Sequence, residues 1–183
     1  KLGLRERPKE TEKRQAVAAV GQCELMFIYD KFFGEYNHTV AQVLLTGDVI
    51  ANEISRKNTE NTFLELIGMG IIPVVNENDT VVVDELVGSQ IGDNDTLSAI
   101  VARLIGADLL IILTDIDGLY DDNPSVNPSA KRIPAVRKVT DDIRALAGGA
   151  GSRRGTGGMR TKVEAAASVN QSGIPCCIMS GAD

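Results

Sequence analysis

The sequence has no tryptophan, and aromatic residues make up only 4% of its 183 residues. Hydrophobic residues nevertheless reach 43%, which is enough for one α/β domain with a sizeable core. That core must be built from Val, Ile, Leu and Ala. Aliphatic cores of this kind are typical of parallel sheets covered by helices.

An excess of basic residues is also lacking, since 19 Lys and Arg face 25 Asp and Glu and the net charge is −6. This balance argues against a nucleic-acid surface or an anionic membrane surface as the partner. No apolar run is long enough to span a bilayer, and no signal peptide is visible. The chain begins at Lys1 rather than Met, which leaves the natural N-terminus open.

Histidine and cysteine are scarce. His38 is the single histidine and follows a predicted helix end, so we interpret it as a solvated loop residue. Zinc sites and Ser-His-Asp catalysis therefore have no support, and we predict no protein metal site. Three cysteines fit a reducing compartment and a cytoplasmic protein. Cys176 and Cys177 are predicted to be buried strand residues.

Apolar patterns alternate between strand and helix along the whole chain, which is typical of βαβ units. They predict an α/β fold, with a mostly parallel sheet sandwiched between helices in three layers. The predicted helices cover residues 9–36, 52–69, 95–106, 140–148 and 158–172. The predicted strands cover residues 39–46, 71–75, 108–115 and 174–180.

Two Asn/Asp clusters bracket one predicted loop, "NEND" at residues 76–79 and "GDND" at residues 92–95. If the intervening segment folds as a hairpin, Asn76, Asn78 and Asp79 face Asn94 and Asp95. Their amides and carboxylates suit a small zwitterion, with a carboxylate for its ammonium group. The alternative is a pair of Asx turns, with Asp95 serving only as the helix N-cap.

A glycine-rich segment, "GTGGMRTK" at residues 155–162, opens the last predicted helix. Its glycines let the backbone approach an anion, and the helix N-terminus offers unpaired N–H groups. Lys162 lies about one turn into the helix and can reach back as a point charge. The segment is not a Walker A motif, and a flexible surface loop is the alternative.

Thr114 and Asp115 stand just past the buried strand in "TDIDGLY". Ligands of open α/β sheets bind beyond the carboxyl ends of strands, so these side chains can contact a ribose or base. The alternative is a turn, which Asp117–Gly118 signals by itself.

Taken in order, these motifs resemble those of the amino-acid kinase family, and among its members those that act on glutamate. The resemblance covers essentially the whole chain. It rests on "AAVGQ" (18–22), "QVLLT" (42–46), "VVNENDTV" (74–81), "GDNDTLSA" (92–99), "LTDIDGLYDDNP" (113–124) and "GTGGMRTK".

The resemblance implies ATP-dependent phosphorylation of the γ-carboxylate of L-glutamate, the first step of proline biosynthesis. It implies that Asp79 and Asn94 bind glutamate, within a substrate cluster that includes Asn76 and Asn78. It also implies ATP and Mg²⁺ as cofactors, Lys162 as a catalytic residue and Asp95 as the residue that orients the catalytic lysines. The implied ATP ligands are Thr114, Asp115, Thr156, Gly157, Gly158, Met159, Arg160, Thr161 and Lys162.

Residues 1–183 are expected to form a single amino-acid kinase domain that is incomplete at its N-terminus. The resemblance implies an earlier strand with a catalytic lysine, which the sequence from Lys1 onward does not contain. It also implies proline as feedback inhibitor and a homodimer or homotetramer. The alternatives are a kinase acting on N-acetylglutamate or aspartate, and a non-catalytic module that senses nucleotide or proline.

Overall fold

The computed structural model describes residues 3, 6, 8–81, 91–148 and 158–182. Helices and strands alternate along them as the sequence predicts. The elements are α1 (Thr11–Gly34), β1 (Val40–Leu45), α2 (Gly47–Ala51), α3 (Glu53–Gly68), β2 (Ile72–Glu77), α4 (Asn94–Leu104), β3 (Leu110–Thr114), α5 (Asp141–Ala147), α6 (Met159–Asn170) and β4 (Cys176–Ser180).

The chain divides into two compact units, Lys1–Ile91 and Gly92–Asp183, and each is described by itself. In the first unit β1 and β2 pair in parallel, from Val40 opposite Ile72 to Leu45 opposite Glu77. A parallel pair needs a crossover connection, which α3 supplies. Phe63 of α3 is 1% exposed and Leu45 is 2% exposed, so an aliphatic strand and one aromatic side chain build the core of this unit.

Helix α1 differs from its prediction. Its apolar residues lie on several faces, which predicts burial on more than one side. Yet α1 contacts β1 and buries none of its residues. A two-stranded sheet is too narrow to cover a 24-residue helix, so Phe27 and Phe32 stay more than half exposed.

The second unit packs α4 and α6 on one face of the parallel β3–β4 pair. Small residues let the two helices approach each other closely. The buried cluster consists of Ala99, Ala102, Leu110, Ile112, Ala165, Val169 and Ile174. A second cluster joins Leu119, Ala147 and Val163 beneath α5.

The sheet face opposite these helices is exposed within the second unit. Strand β3 was predicted to be buried throughout, but Ile111 is 51% and Leu113 is 64% exposed because side chains alternate along a strand. Cys177 is exposed for the same reason, while Cys176 on the helix-facing side is half-buried. The prediction that both cysteines are buried is therefore wrong for Cys177.

The predicted fold class is confirmed: the protein is α/β, with parallel strands flanked by helices. The prediction of a single domain over residues 1–183 stays a prediction. Among the described residues, no helix has both the length and the apolar character needed to cross a membrane.

Candidate functional site

The start of α4 places one carboxylate where it is free to bind another side chain. Asp93, not Asp95, is the N-cap: its Oδ1 accepts the Thr96 N–H and its Oδ2 accepts the Thr96 hydroxyl, both at 2.9 Å. The alternative interpretation, in which Asp95 serves only as the helix N-cap, is therefore wrong. Asp95 lies in the first turn, and its side chain is available to the neighbouring helix.

Asp95 binds two consecutive residues of α6. Lys162 Nζ lies 3.0 Å from Asp95 Oδ2 and 3.4 Å from Oδ1, and the Thr161 hydroxyl donates to Oδ2 at 2.6 Å. The lysine side chain is 12% exposed and the aspartate side chain 14%. The predicted association of Asp95 with a lysine is thus present, and it is made across the α4–α6 packing.

A cavity of about 660 Å³ lies against this cluster in the second unit. Lys162 lines it, together with Gly158 and Met159 from the start of α6 and Thr114 and Asp115 from the carboxyl end of β3. These are five of the nine predicted ATP ligands. Two others, Thr156 and Gly157, lie outside the described residues.

The remaining two predicted ATP ligands do not line the cavity. Arg160 is exposed in the first turn of α6. Thr161 directs its hydroxyl to Asp95 and to the Gly158 carbonyl oxygen, at 2.6 and 2.8 Å. Consecutive helical residues point about 100° apart, so Lys162 can face the cavity while its neighbours do not.

The segment after β3 supplies cavity walls that the sequence did not predict. The added lining residues are Ile116, Gly118, Leu119, Tyr120, Asp121, Asp122, Asn123, Pro124 and Ser125, with Ala145, Leu146 and Ala147 from the end of α5. The polar residues of the pattern "DIDGLYDDNP" predict a turn and do not indicate that the turn folds back over the strand end. The apolar pair Leu119–Tyr120 inside a polar loop was the available signal.

Tyr120 is fixed in this wall by a small polar network. Its hydroxyl donates to Asp117 Oδ1 at 2.8 Å, and this hydrogen bond raises the pKa of Tyr120. Gly118 adopts φ +153°, a backbone conformation that residues with a side chain rarely adopt. A side chain at this position would therefore be strained, which explains the glycine.

Asp122 remains a charged group in the cavity wall. The Asn127 side-chain amide donates to its Oδ2 at 2.9 Å and the Asn123 N–H donates to its Oδ1 at 2.7 Å. These bonds stabilise the carboxylate and lower the pKa of Asp122. The cavity thus presents carboxylates and one lysine, a set that suits polyhydroxylated or metal-complexed anions better than a bare anion.

The other predicted cluster follows β2 in the first unit. Asn76 Nδ2 donates to Gln22 Oε1 of α1 at 3.3 Å, and the Asn78 N–H donates to the Leu45 carbonyl oxygen at 2.8 Å. Asp79 is exposed. The sequence did not predict this contact between Asn76 and Gln22, although Gln22 lies in the motif "AAVGQ".

Asn94 is exposed at the first position of α4, in the second unit. The expectation that Asn94 and Asp95 face Asn76, Asn78 and Asp79 concerns residues of both units and stays a prediction. Within the described part of the chain, no group of three His, Cys, Asp or Glu side chains could hold a metal ion.

Comparison with known proteins gives a consistent result. The model of the amino acid kinase family matches residues 1–180. A glutamate 5-kinase of Clostridium perfringens is 54% identical over 99% of this chain, and one of Clostridium acetobutylicum is 52% identical over 99%. A glutamate 5-kinase of Listeria innocua is 58% identical over 91%. The chain spans 68%, 67% and 60% of these relatives, respectively.

Among solved structures, a carbamate kinase from Giardia lamblia bound to AMP-PNP is 21% identical. The similarity covers 66% of this chain and 38% of that one, with a TM-score of 0.46.

Proposed function

The chain belongs to the amino acid kinase family, and from this premise we propose that its protein is a glutamate 5-kinase. The enzyme transfers the γ-phosphoryl group of ATP to the γ-carboxylate of L-glutamate, the first step of proline biosynthesis. The observation that carries the proposal is the pairing of Lys162 with Asp95 at the wall of a cavity beyond β3.

The nucleotide occupies that cavity in our proposal. Thr114 and Asp115 offer a hydroxyl and a carboxylate that can bind ribose or base, because they follow the carboxyl end of a strand. The start of α6 directs its first N–H groups toward the phosphates. A volume of about 660 Å³ falls within the range of pockets that hold ligands of this size.

Catalysis then consists of positioning and charge neutralisation. A glutamate side chain, with a reference pKa of about 4.3, is already ionised at neutral pH, so no general base is needed. Its carboxylate oxygen bonds to the γ-phosphorus, and the bond from phosphorus to the β,γ-bridging oxygen breaks, so ADP leaves with the electron pair. Lys162 offsets the charge on the phosphoryl group in transfer.

Asp95 holds the lysine for this task. An ammonium group has three donors, and Lys162 directs N–H bonds to the carboxylate oxygens of Asp95 while it lines the cavity. Both side chains are mostly buried, so the pair is ordered rather than solvated. An ordered lysine costs little reorganisation in the transition state.

Mg²⁺ bound with ATP would neutralise the phosphate charges. Magnesium usually takes one or two protein carboxylates together with the substrate phosphates, so a three-residue cluster is not required. Asp115, Asp121 and Asp122 line the cavity, and one or two of these carboxylates would hold it. Their carboxylate oxygens are the hard ligands that this ion prefers.

Glutamate recognition is proposed for Asp79 and Asn94, with Asn76 and Asn78 contributing amide groups. A free ammonium group suits the Asp79 carboxylate, whereas an N-acetylated substrate does not. This chemistry favours glutamate over N-acetylglutamate within the family.

The match of the family model to residues 1–180 supports a single kinase domain.

Proline inhibition, self-association and a cytoplasmic location complete the proposal. The exposed apolar side chains of α1, among them Val20, Phe27 and Phe32, support a homodimer or homotetramer. Light scattering after gel filtration, with and without proline, measures the oligomeric state.

The cysteines Cys23, Cys176 and Cys177 are all free, which fits a reducing compartment.

The test is a substrate panel on the full-length protein with coupled ADP detection. L-Glutamate, N-acetyl-L-glutamate and L-aspartate are compared, and hydroxylamine traps any acyl phosphate as a hydroxamate. We expect ADP and hydroxamate with glutamate. A preference for N-acetylglutamate or aspartate would assign a different family member, and nucleotide binding without turnover would indicate a sensing module.

A further inference from the structure

The hydroxyl of Thr161 has only one proton, and two acceptors lie within reach of it. Asp95 Oδ2 is 2.6 Å away and the Gly158 carbonyl oxygen is 2.8 Å away. A proton held between these oxygens is not available to a phosphate. The side chain of Thr161 is therefore committed to the protein, whereas its main-chain N–H lies in the first turn of α6, where helical N–H groups lack intrahelical partners.

Asp95 is held by two adjacent residues that point in different directions. Residues i and i+1 of a helix do not face each other, yet Thr161 and Lys162 both reach Asp95. Its Oδ2 accepts from both side chains, at 2.6 and 3.0 Å. Donors from two different residues restrict the rotation of the carboxylate more than the ammonium contact of Lys162 does alone.

We propose that Thr161 is a positioning residue: its hydroxyl orients the Asp95 carboxylate, and through it Lys162, rather than binding the nucleotide with its side chain. The inference rests on the proposed kinase function and refines it. It separates Thr161 from the other ATP ligands of the glycine-rich segment. The hydroxyl acts on the rate of transfer, not on the affinity for ATP.

Three variants of the full-length protein test this role. Thr161→Val removes the hydroxyl at nearly constant shape, Thr161→Ser retains it, and Thr59→Val is the matched control. Thr59 also donates a hydroxyl to a carbonyl oxygen one turn earlier, that of Ser55 at 2.8 Å, but it lies in α3, in the first unit. It therefore reports the general cost of a helical Thr→Val change.

Thr161→Val is expected to lower kcat about 10-fold, the lower end for a lost hydrogen bond to a charged group. The Michaelis constants and the dissociation constant of a non-hydrolysable ATP analogue should stay within about twofold. Thr161→Ser should restore most of kcat, and Thr59→Val should keep it. A tenfold weaker analogue affinity at unchanged kcat would instead make the side chain a nucleotide ligand and overturn the proposal.

A double-mutant cycle with Asp95→Asn tests whether Thr161 acts through Asp95. In the Asp95→Asn background, Thr161→Val should lower kcat by less than about twofold, because the carboxylate it orients is already gone. Independent, multiplicative effects of the two substitutions would contradict the proposed route.

A readout without turnover separates this inference from the proposed function. Acetic anhydride labelling of Lys162, followed by peptide mass spectrometry, reports how well the lysine is held. Labelling should become at least about threefold faster in Thr161→Val and remain unchanged in Thr161→Ser and Thr59→Val. If the wild-type protein phosphorylates no substrate, the kinase proposal fails while this result still decides the positioning role. Unchanged labelling in Thr161→Val overturns it.

Discussion

Lys162 is the residue on which the proposed chemistry depends most. Its side chain is 12% exposed and lines the cavity. Among the described residues that line the cavity, it is the one cationic side chain. Lys162→Ala should lower kcat by about 10²–10³-fold, because the loss of one hydrogen-bond donor to the transition state has an effect of this size in other enzymes. Steady-state kinetics with saturating glutamate and ATP measures the change.

The control for this substitution is Lys57→Ala. Lys57 is also ion-paired, with Glu60 at 3.1 Å, but it is 62% exposed on α3. Exposed ion pairs contribute little to stability, so the kcat of the Lys57→Ala variant should match that of the wild type. Full activity in Lys162→Ala would contradict the assigned role.

Cys176 should be the slowest of the thiols to alkylate. Burial raises its pKa from 9.0 to about 11, because a thiolate is poorly solvated there. Since the thiolate is the nucleophile, iodoacetamide at pH 8 should label Cys176 about 100-fold more slowly than an ordinary thiol. Cys23 is exposed and serves as the internal reference.

The same raised pKa has a consequence for stability. The folded state keeps the proton of Cys176 to a higher pH than the unfolded chain does, so its stabilising contribution is complete below pH 9 and is lost as pH rises toward 11.

Equal alkylation rates for Cys176 and Cys23, measured by peptide mass spectrometry across pH 7–10, would be inconsistent with the burial of Cys176.

At the scale of elements, the start of α4 separates a carboxylate that caps the helix from one that binds a lysine of another helix. Asp93 caps the helix and Asp95 binds α6, although both belong to one Asn/Asp cluster. Asp93→Ala should lower the free energy of unfolding by about 1 kcal/mol, measured by urea denaturation, because the N-cap bond is lost.

Asp95→Ala provides the comparison, since it leaves that cap intact. It should lower kcat more than Asp93→Ala does, because Lys162 loses its anchor. An Asp93→Ala protein of wild-type stability would show that the helix begins without the cap.

The helices and strands were predicted within a few residues where a cap or a glycine marks the boundary. Thr140 caps α5, and its Oγ1 accepts the Ile143 N–H at 3.5 Å. Gly106 follows the end of α4 in a left-handed conformation, φ +61°. The short helix α2 was missed because five residues beginning at Gly47 carry no periodic pattern.

At the scale of the whole molecule, the proposed glutamate and ATP residues come largely from different compact units. Asp79 belongs to the first unit, and the cavity residues belong to the second. Asp79→Ala should therefore raise the Michaelis constant for glutamate at least about tenfold, as expected for a lost charge-assisted hydrogen bond, and leave that for ATP within about twofold.

Asp30→Ala, an exposed carboxylate of α1, is the control for that substitution and should change neither constant. An equal rise in both Michaelis constants for Asp79→Ala would argue against a role in substrate recognition.

The sequence by itself determined the α/β alternation and the parallel connectivity, and it predicted the candidate site residues. Period-2 and period-3.6 patterns, caps and glycine turns act over a few residues, so local sequence records them. Lys162, Asp95, Thr114 and Asp115 were predicted as candidate site residues because they belong to motifs at helix starts and strand ends, and the family resemblance implied their roles.

Apart from the pairing of Asp95 with a lysine, which the family resemblance implied, only the tertiary structure decided which of these residues meet. Thr161 and Lys162 reach Asp95 across more than 60 positions of sequence because α4 and α6 pack through small side chains. The same packing assigned the helix cap to Asp93, and the loop after β3 folded back to put Tyr120 into the cavity wall. Contacts of this kind depend on the packing of distant elements, and no short pattern encodes that packing.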